Sequence, residues 1–493
     1  MSKSRLRFAP SPTGSPHIGN IRTAVFDYLY ARHTGGTFIL RVEDTDRTRY
    51  VEGSLEEMMK GLRWIEMQWD EGPEVDGGYG PYFQSERLEI YHKYAQQLVD
   101  EGKAYYCYCT RERLEEMRKA QEAAKLPTGY DRRCRELSAD EREACAAENP
   151  HPVIRFAMKR EGRTEFDDIV RGRVGFDNAL QDDFVMIKAD GFPTYHFASI
   201  VDDHLMQITH VVRGEEWLSS APKHIQLYEA FGWEAPLWVH LPLILDTTGK
   251  KLSKRSGVST SFYDYILQGY LPDAMLNFLA TMGWSSGEDR KLYSREELIE
   301  KFTLEGIVNH PAIFDLAKLN DLNGEYIRMT PVEELAKMIL PRLQEAGYVS
   351  QSPSDEEMRY LIEITTLNRD RMVTLGDAPD LVSFFYADDF VYEEKGVKKH
   401  LAKETTPAIL KSVIEKLASV ETWDTESIDA AVREGGLAVG VEGGRVIHPV
   451  RMAITGRTWG PGLFDLMQVI GKDRCIARLH RAEEFSSREI SMS

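Results

Sequence analysis

Residues 10–16, PSPTGSP, carry three prolines and a glycine. Proline fixes φ and lacks a backbone donor, so neither a helix nor a central strand can run through this segment. It must be a loop, and it stands between two legible elements. Arg5–Ala9 reads as a short strand. After the loop, Ile21, Ala24, Val25, Tyr28 and Leu29 recur at i, i+3, i+4, i+7 and i+8, forming one apolar helical face. Gly35-Gly36 stops that helix, and TFILRVE (37–43) returns as a buried strand. Strand, helix and strand within about 40 residues predict a parallel α/β sheet.

DFVMIK (183–188), ITHVV (208–212) and PLIL (242–245) are further strand candidates. The stretch 106–182 between them is charged and turn-rich and holds four of the five cysteines, so it reads as an inserted subdomain. From about residue 325 the period becomes helical. Thr330-Pro331 reads as N-cap and first helical position, ahead of an apolar face of Val332, Leu335, Ile339 and Leu340. TPAILKSVIEKL and GLFDLMQVIG (462–471) repeat that period. The expected organisation is 1–105 with 183–245 as the sheet domain, 106–182 as the insertion and 246–325 as a stem-contact region that carries the KLSKR loop. Helical domains over 326–385 and 386–493 complete it.

Charge limits the function classes. With 61 basic and 79 acidic side chains the net charge is −18, which excludes a uniformly basic nucleic-acid coat. An RNA partner would meet a local basic face on an acidic body. No run approaches the ~18 apolar residues of a membrane span, and MSKSRLRFAP lacks an apolar signal core. Five cysteines, an odd number, point to a reducing cytoplasm.

Several constellations carry candidate chemistry. In RFAPSPTGSPHIGN (7–20), His17 and Gly19 stand where the helix begins, and a helix N-terminus suits a phosphate. DTTGKKLSKRSG (246–257) sets Lys250, Lys251, Lys254 and Arg255 in a glycine-bracketed loop; lysines at i and i+3 can straddle a polyphosphate. RVEDTDR (41–47) puts carboxylates at the end of a predicted parallel strand, where Glu43 could hold an ammonium and Asp44 or Asp46 could equally cap a helix. Arg213 follows another predicted strand and suits a carboxylate. The VDDH stretch at 201–204 reads better as a capped helix with acidic surface residues than as a metal motif. Cys107, Cys109 and Cys134 can take zinc if a fourth ligand joins them, Glu136 first and Cys145 as fallback; three unligated cysteines are the alternative.

HIGN and KLSKR together resemble the two signatures of class I aminoacyl-tRNA synthetases. The longer stretches APSPTGSPHIGN, RVEDTDRTRY, YGPYFQSER, VDDHLMQITHVVRGEEWL and HPVRMAITGRTWGPGLFDLMQVIGKD extend the resemblance over essentially the whole chain, to the bacterial glutamyl-tRNA synthetases. That resemblance implies a Rossmann-type catalytic domain with an inserted α+β acceptor-binding subdomain, followed by an all-α anticodon-binding region. It implies ATP-dependent formation of glutamyl-adenylate, then transfer to the 3′-terminal adenosine of tRNA-Glu, with magnesium accompanying ATP. His17, Lys251 and Lys254 would be catalytic. ATP would lie among Pro10, Ser11, His17, Gly19, Asn20, Lys251, Ser253 and Lys254, and glutamate among Arg7, Ser11, Glu43, Tyr195, Arg213 and Trp217. Arg369 and Arg371 would touch the anticodon, and a monomer in the cytoplasm is expected.

The sequence departs from the family pattern in three places. Asn20 replaces the second histidine of the first signature, and Leu252 and Arg255 replace methionine and serine in the second. Glu136 stands where zinc-binding members carry cysteine or histidine, so the expected set is Cys107, Cys109, Cys134 and Glu136. Glutaminyl-tRNA synthetase is the nearest rival, but residues 325–493 lack the alternating strands of its anticodon barrel. A small-molecule adenylyltransferase without an RNA partner would leave the helical residues unexplained. Charging of tRNA-Gln in addition to tRNA-Glu stays open.

Overall fold

The computed structural model describes residues 3–253 and 258–492. Two compact units emerge. One holds the chain up to Ile266 together with Pro272–Leu316, and the other holds Leu267–Leu271 with the chain from Ala317 onward.

The first unit opens as its sequence predicts. Strand β1 (Arg5–Phe8) leads through the proline loop into helix α1 (Ile18–His33), and strand β2 (Thr37–Leu40) pairs parallel to β1. Helix α1 buries Ile21, Ala24 and Val25 completely, the face its period marked. The loop is tied down from outside: Glu43 N–H donates to the Pro10 carbonyl at 2.9 Å, and Val51 N–H to that of Pro12 at 2.9 Å. Helices α2 (Ser54–Trp64) and α3 (Leu88–Asp100) follow. Strand β3 (Ala104–Cys107), helices α4 (Arg111–Ala123) and α5 (Ala139–Glu148), and strands β4 (Val153–Phe156), β5 (Arg163–Asp168), β6 (Gly172–Asp177) and β7 (Val185–Ile187) come next. Helix α6 (Tyr195–Leu205), strand β8 (His210–Gly214), helix α7 (Ala221–Phe231) and strand β9 (Leu237–Leu241) complete the site-bearing part.

The main sheet runs β2-β1-β8-β9-β5-β6, parallel except for the β5–β6 pair. Its composition differs from expectation in three respects. The run at 183–188 does not join it: β7 pairs antiparallel with β4, in a separate sheet ordered β3-β4-β7. Asp183 accounts for this, because its buried carboxylate accepts from Met158 N–H at 3.0 Å and the Tyr105 hydroxyl at 2.8 Å, anchoring the segment beside β4. Conversely, β5 and β6, inside the stretch read as an insertion, extend the main sheet. RTEFDD looks polar, yet it alternates, and Phe166 packs edge-on against Trp238. The PLIL run is also displaced. LWVHL forms β9, and Pro242, which has no N–H to donate, ends that ladder. Strand β10 (Ile244–Leu245) instead pairs with β11 (Ala312–Ile313).

The second unit is helical, with Val332–Glu345, Asp355–Asn368, Ala378–Tyr386, Thr406–Ala418, Thr425–Ala438, Gly444–Thr455, Leu463–Ile470 and Lys472–Met492 as its longer elements. It carries no strand among its described residues. Pro331 itself occupies the N-cap position of Val332–Glu345, while the Thr330 hydroxyl donates back to the Tyr326 carbonyl of the preceding helix, so Thr330 does not cap as expected. Buried Arg478 ties the unit together: it donates to the carbonyls of Ile454 and Phe384, each at 2.7 Å, and pairs with Asp388 at 2.6 Å. Among the described residues no helix is long and apolar enough to cross a membrane.

Candidate active site

Parallel sheets present ligands at the carboxyl ends of their strands. Here Arg7 lies near the end of β1, Arg213 near the end of β8, and His240 directly across from Arg213 in the register of β9. All three are buried. Arg7 donates from Nε and Nη2 to the two carboxylate oxygens of Asp203, at 2.9 and 3.3 Å. Asp203 also accepts from Arg41 Nη1 at 2.7 Å, and Arg41 Nη2 donates to Glu43 Oε1 at 3.0 Å. One carboxylate on α6 therefore orients both Arg7 and, through Arg41, Glu43. Neighbouring Asp202 accepts from Arg87 Nε at 2.7 Å, the Tyr91 hydroxyl at 2.8 Å and Gln84 Nε2 at 2.9 Å. The VDDH aspartates are thus not surface residues. Both are buried, because guanidinium groups from β1, the end of β2 and the start of α3 converge on them.

The electrostatics follow from this packing. Burial opposes the charge on Arg7, and Asp203 more than restores it, leaving its pKa above the ordinary arginine value. Burial raises Glu43 to about 7 although Arg41 and Arg7 pull it down. Burial also pushes Asp27, on the inner face of α1, well above the usual carboxylate range. Tyr195 opens α6 beside Arg213 and packs on Trp217 with ring centroids 4.5 Å apart.

At the start of α1, His17 is the N-cap, and its Nδ1 accepts the Gly19 N–H at 3.0 Å. That hydrogen bond leaves the ring proton on Nε2. A Cβ on Gly19 would lie 3.3 Å from His17 Nδ1 and 3.9 Å from Ile244, so glycine keeps this corner open. The lysine-bearing segment flanks it. Leu252 N–H donates to the Ile244 carbonyl at 3.0 Å, and Lys251 bridges Leu245. Beyond it, Ile18 N–H donates to Thr260 and Phe262 N–H to Pro16, at 3.0 and 2.9 Å. Lys254 and Arg255 lie outside the described residues, but the chain on both sides of them is fastened near His17 and Gly19. Ser11 and Asn20 are exposed, Pro10 is buried, and Ser253 precedes the undescribed stretch. Asp46 accepts from Thr48 and Arg49 in a local turn, while Asp44 accepts from Ser85, so neither caps a long helix.

The cysteines gather only in part as expected. Ligand atoms of Cys107, Cys109 and Cys134 lie within 4.8 Å of one another. Glu136 does not join them; it is exposed and paired with Arg160, because the turn that buries Cys134 carries Glu136 outward. Cys145 sits on α5, outside the cluster. The fourth polar group is Tyr130, whose hydroxyl lies 3.3 Å from Cys107 Sγ and 3.5 Å from Cys109 Sγ and accepts the Cys134 N–H at 2.9 Å. The three sulfurs supply three of the four ligands of a tetrahedral zinc, and the phenol oxygen is the polar atom beside them. In the second unit, Arg369 is half-buried and Arg371 exposed in the turn Arg369–Arg371.

Comparison with known proteins places the chain in a family. The family "tRNA synthetases class I (E and Q), catalytic domain" matches residues 3–321, and "Anticodon binding domain" matches residues 334–483. A glutamate–tRNA ligase of Moorella thermoacetica is 44% identical over 482 residues, covering 98% of each chain. One from Dehalococcoides mccartyi is 46% identical over 479 residues, covering 97% of this chain and 96% of its own. The crystal structure of a glutamate tRNA ligase from Elizabethkingia meningosepticum, in complex with its amino acid, aligns with a TM-score of 0.89 at 38% identity, covering 98% of this chain and 99% of that one. The chain belongs to the class I tRNA synthetases, within the glutamate–tRNA ligase family.

Proposed function

We propose that this protein ligates L-glutamate to tRNA-Glu in two steps. A glutamate carboxylate oxygen attacks the α-phosphate of ATP and pyrophosphate leaves; the 3′-terminal ribose of the tRNA then takes the glutamyl group and AMP departs. The convergence of Arg7, Arg213 and Glu43 at adjoining strand ends, beside the His17 helix start, carries this reading.

Each group has a task its surroundings suit. Arg213 and Arg7 hold the side-chain carboxylate, with Tyr195 and Trp217 walling the pocket. Glu43, steered by Arg41, accepts from the α-ammonium. Ser11 lies in the loop bridging the amino-acid and nucleotide ends. His17 has Nδ1 occupied by Gly19, so its Nε2–H donates to a phosphoryl oxygen. Pro10, Gly19, Asn20 and Ser253 border the nucleotide, and Lys251 and Lys254 offset charge on the departing pyrophosphate. Magnesium travels with ATP and neutralises its phosphates. Cys107, Cys109, Cys134 and Tyr130 hold a zinc that braces the β3 region. In the helical unit, Arg369 and Arg371 meet anticodon bases, to which guanidinium planes both pair and stack. The work is done in the cytoplasm by a monomer, and tRNA-Gln is a second substrate to be tried beside tRNA-Glu.

Charging of tRNA transcripts with labelled amino acid tests the proposal. Glutamate is esterified to tRNA-Glu and glutamine is not; equal charging by glutamine would refute it.

A further inference from the structure

Four guanidinium groups are buried around the strand ends: Arg7, Arg41, Arg87 and Arg213. Three rest on carboxylates, Arg7 and Arg41 on Asp203 and Arg87 on Asp202. Arg213 is held differently. Its Nε donates to His240 Nε2 at 2.9 Å, and its Nη1 to His224 Nδ1 at 2.9 Å. Its Nη2 is buried and makes no hydrogen bond of ordinary geometry among the described residues, and the Tyr195 hydroxyl is the polar group that interacts with this guanidinium. The face of the group lies 4.9 Å from the Trp238 ring.

The protonation of both histidines is dictated by their neighbour. A guanidinium has donors only, so each imidazole nitrogen facing it must offer a lone pair. The proton of His240 therefore sits on Nδ1, which lies 2.7 Å from Asp168 Oδ2. That of His224 sits on Nε2, 3.1 Å from His196 Nδ1. Both rings are neutral. A neutral acceptor sets the direction of a guanidinium N–H, and unlike a carboxylate it does not cancel the charge. The carboxylate on this chain of contacts, Asp168, is kept one imidazole ring away from Arg213. The balance of shifts agrees: burial lowers Arg213 from the ordinary arginine value, whereas the Asp203-paired Arg7 is raised.

We infer that His224 and His240 are positioning residues for amino-acid selection: as neutral acceptors they aim Arg213 and leave its charge unmatched until a substrate carboxylate arrives. The inference rests on the reading of Arg213 as a glutamate side-chain ligand. It explains how the pocket holds a buried cation that is oriented before substrate binds and is not already neutralised. A carboxylate in either histidine position would saturate the guanidinium, and incoming glutamate would have to compete with it. A neutral amide substrate gains nothing from the unmatched charge, so the device favours glutamate over glutamine.

The test is tRNA-dependent ATP–pyrophosphate exchange, with KM and kcat read separately for glutamate and for glutamine in the full chain. His224→Gln keeps a neutral acceptor and holds the glutamate KM within about threefold of the parent, while His224→Glu raises it about tenfold or more with a smaller change in kcat. The preference for glutamate over glutamine falls with it. Arg213→Ala separates this inference from the pocket reading beneath it. A raised KM in Arg213→Ala with an unchanged KM in His224→Glu overturns the histidine clamp alone; an unchanged KM in Arg213→Ala overturns the pocket reading. If His224→Glu does not fold, the pair His240→Gln and His240→Leu decides. The glutamine amide can serve both Arg213 and Asp168 and keeps the parent KM, whereas leucine raises it; equal KM values in the two overturn the inference.

Discussion

Asp203 meets Arg7 side-on, its two carboxylate oxygens accepting from Nε at 2.9 Å and from Nη2 at 3.3 Å. The same carboxylate takes Arg41 at 2.7 Å, so removing its charge strands buried Arg7 and leaves Arg41 with Glu43 as its hydrogen-bonded carboxylate. Asp203→Asn is expected to destabilise the chain by about 3–5 kcal/mol, the usual cost of breaking a buried pair from one side. It should also weaken glutamate capture, since Arg7 and Glu43 both lose their bearing. Urea unfolding and the glutamate KM, measured on the same variant, check this. A wild-type midpoint would mean the network is not built as described.

Glu43 gives a pH dependence of definite sign. With its pKa raised to about 7 by burial, it is protonated below that value and ionised above it. Only the ionised form accepts from an ammonium group, so kcat/KM for glutamate should climb as pH rises from about 6 to about 8 and flatten beyond, the free-enzyme limb of such a profile. Glu43→Gln should lower activity and abolish that limb. The same shift makes a second prediction. Between 4.5 and about 7 the folded chain binds this proton and the unfolded chain does not, so the contribution of Glu43 to stability falls as pH rises through that window.

These elements were unequally legible in the sequence. The proline loop, the apolar face of α1 and the buried run of β2 announced the parallel sheet, because each leaves a local signature of breakers or period. Glu43 and Arg213 were singled out because they stand at or just beyond the strands so recognised, whereas Arg7 came only from the family resemblance. Asp203 was misread as a surface residue, since a buried aspartate pair looks like any acidic helix until the arginines that pay for its burial are known to converge on it. His240 was missed because LWVHL was passed over for the run after Pro242. Only the β8–β9 register, a long-range property, brings it opposite Arg213. Tyr130 was overlooked beside Cys134 because a phenol four residues upstream carries no spacing signal of its own, whereas Glu136 stood in the family's ligand place.

The thiol cluster makes a prediction about metal. The purified chain should contain about one zinc, the stoichiometry of a single tetrahedral site. Cys109→Ser should lose it, Tyr130→Phe should release it faster to a chelator, and exposed Glu136→Gln should leave it in place. Elemental analysis and a colorimetric chelator assay read all three. Zinc retained in Cys109→Ser would place the ion elsewhere.

His17 combines a structural and a chemical task. His17→Ala removes the side-chain acceptor for Gly19 N–H, a capping loss of about 1 kcal/mol, visible as a modest fall in melting temperature. The larger effect should be on kcat, a decrease of about 100-fold or more, as for loss of one transition-state donor, with little change in glutamate KM. Single-turnover adenylate formation separates the two. A variant that loses only stability would show that the ring does not touch the phosphates.

The account rests on a buried arginine, Arg213, whose charge is kept for an acidic side chain, and exchange of labelled pyrophosphate into ATP tests that most directly. With tRNA-Glu present, glutamate should drive exchange and glutamine should not, and Arg213→Ala should raise the glutamate KM sharply. Exchange driven equally by glutamine, or a glutamate KM untouched by Arg213→Ala, would contradict it.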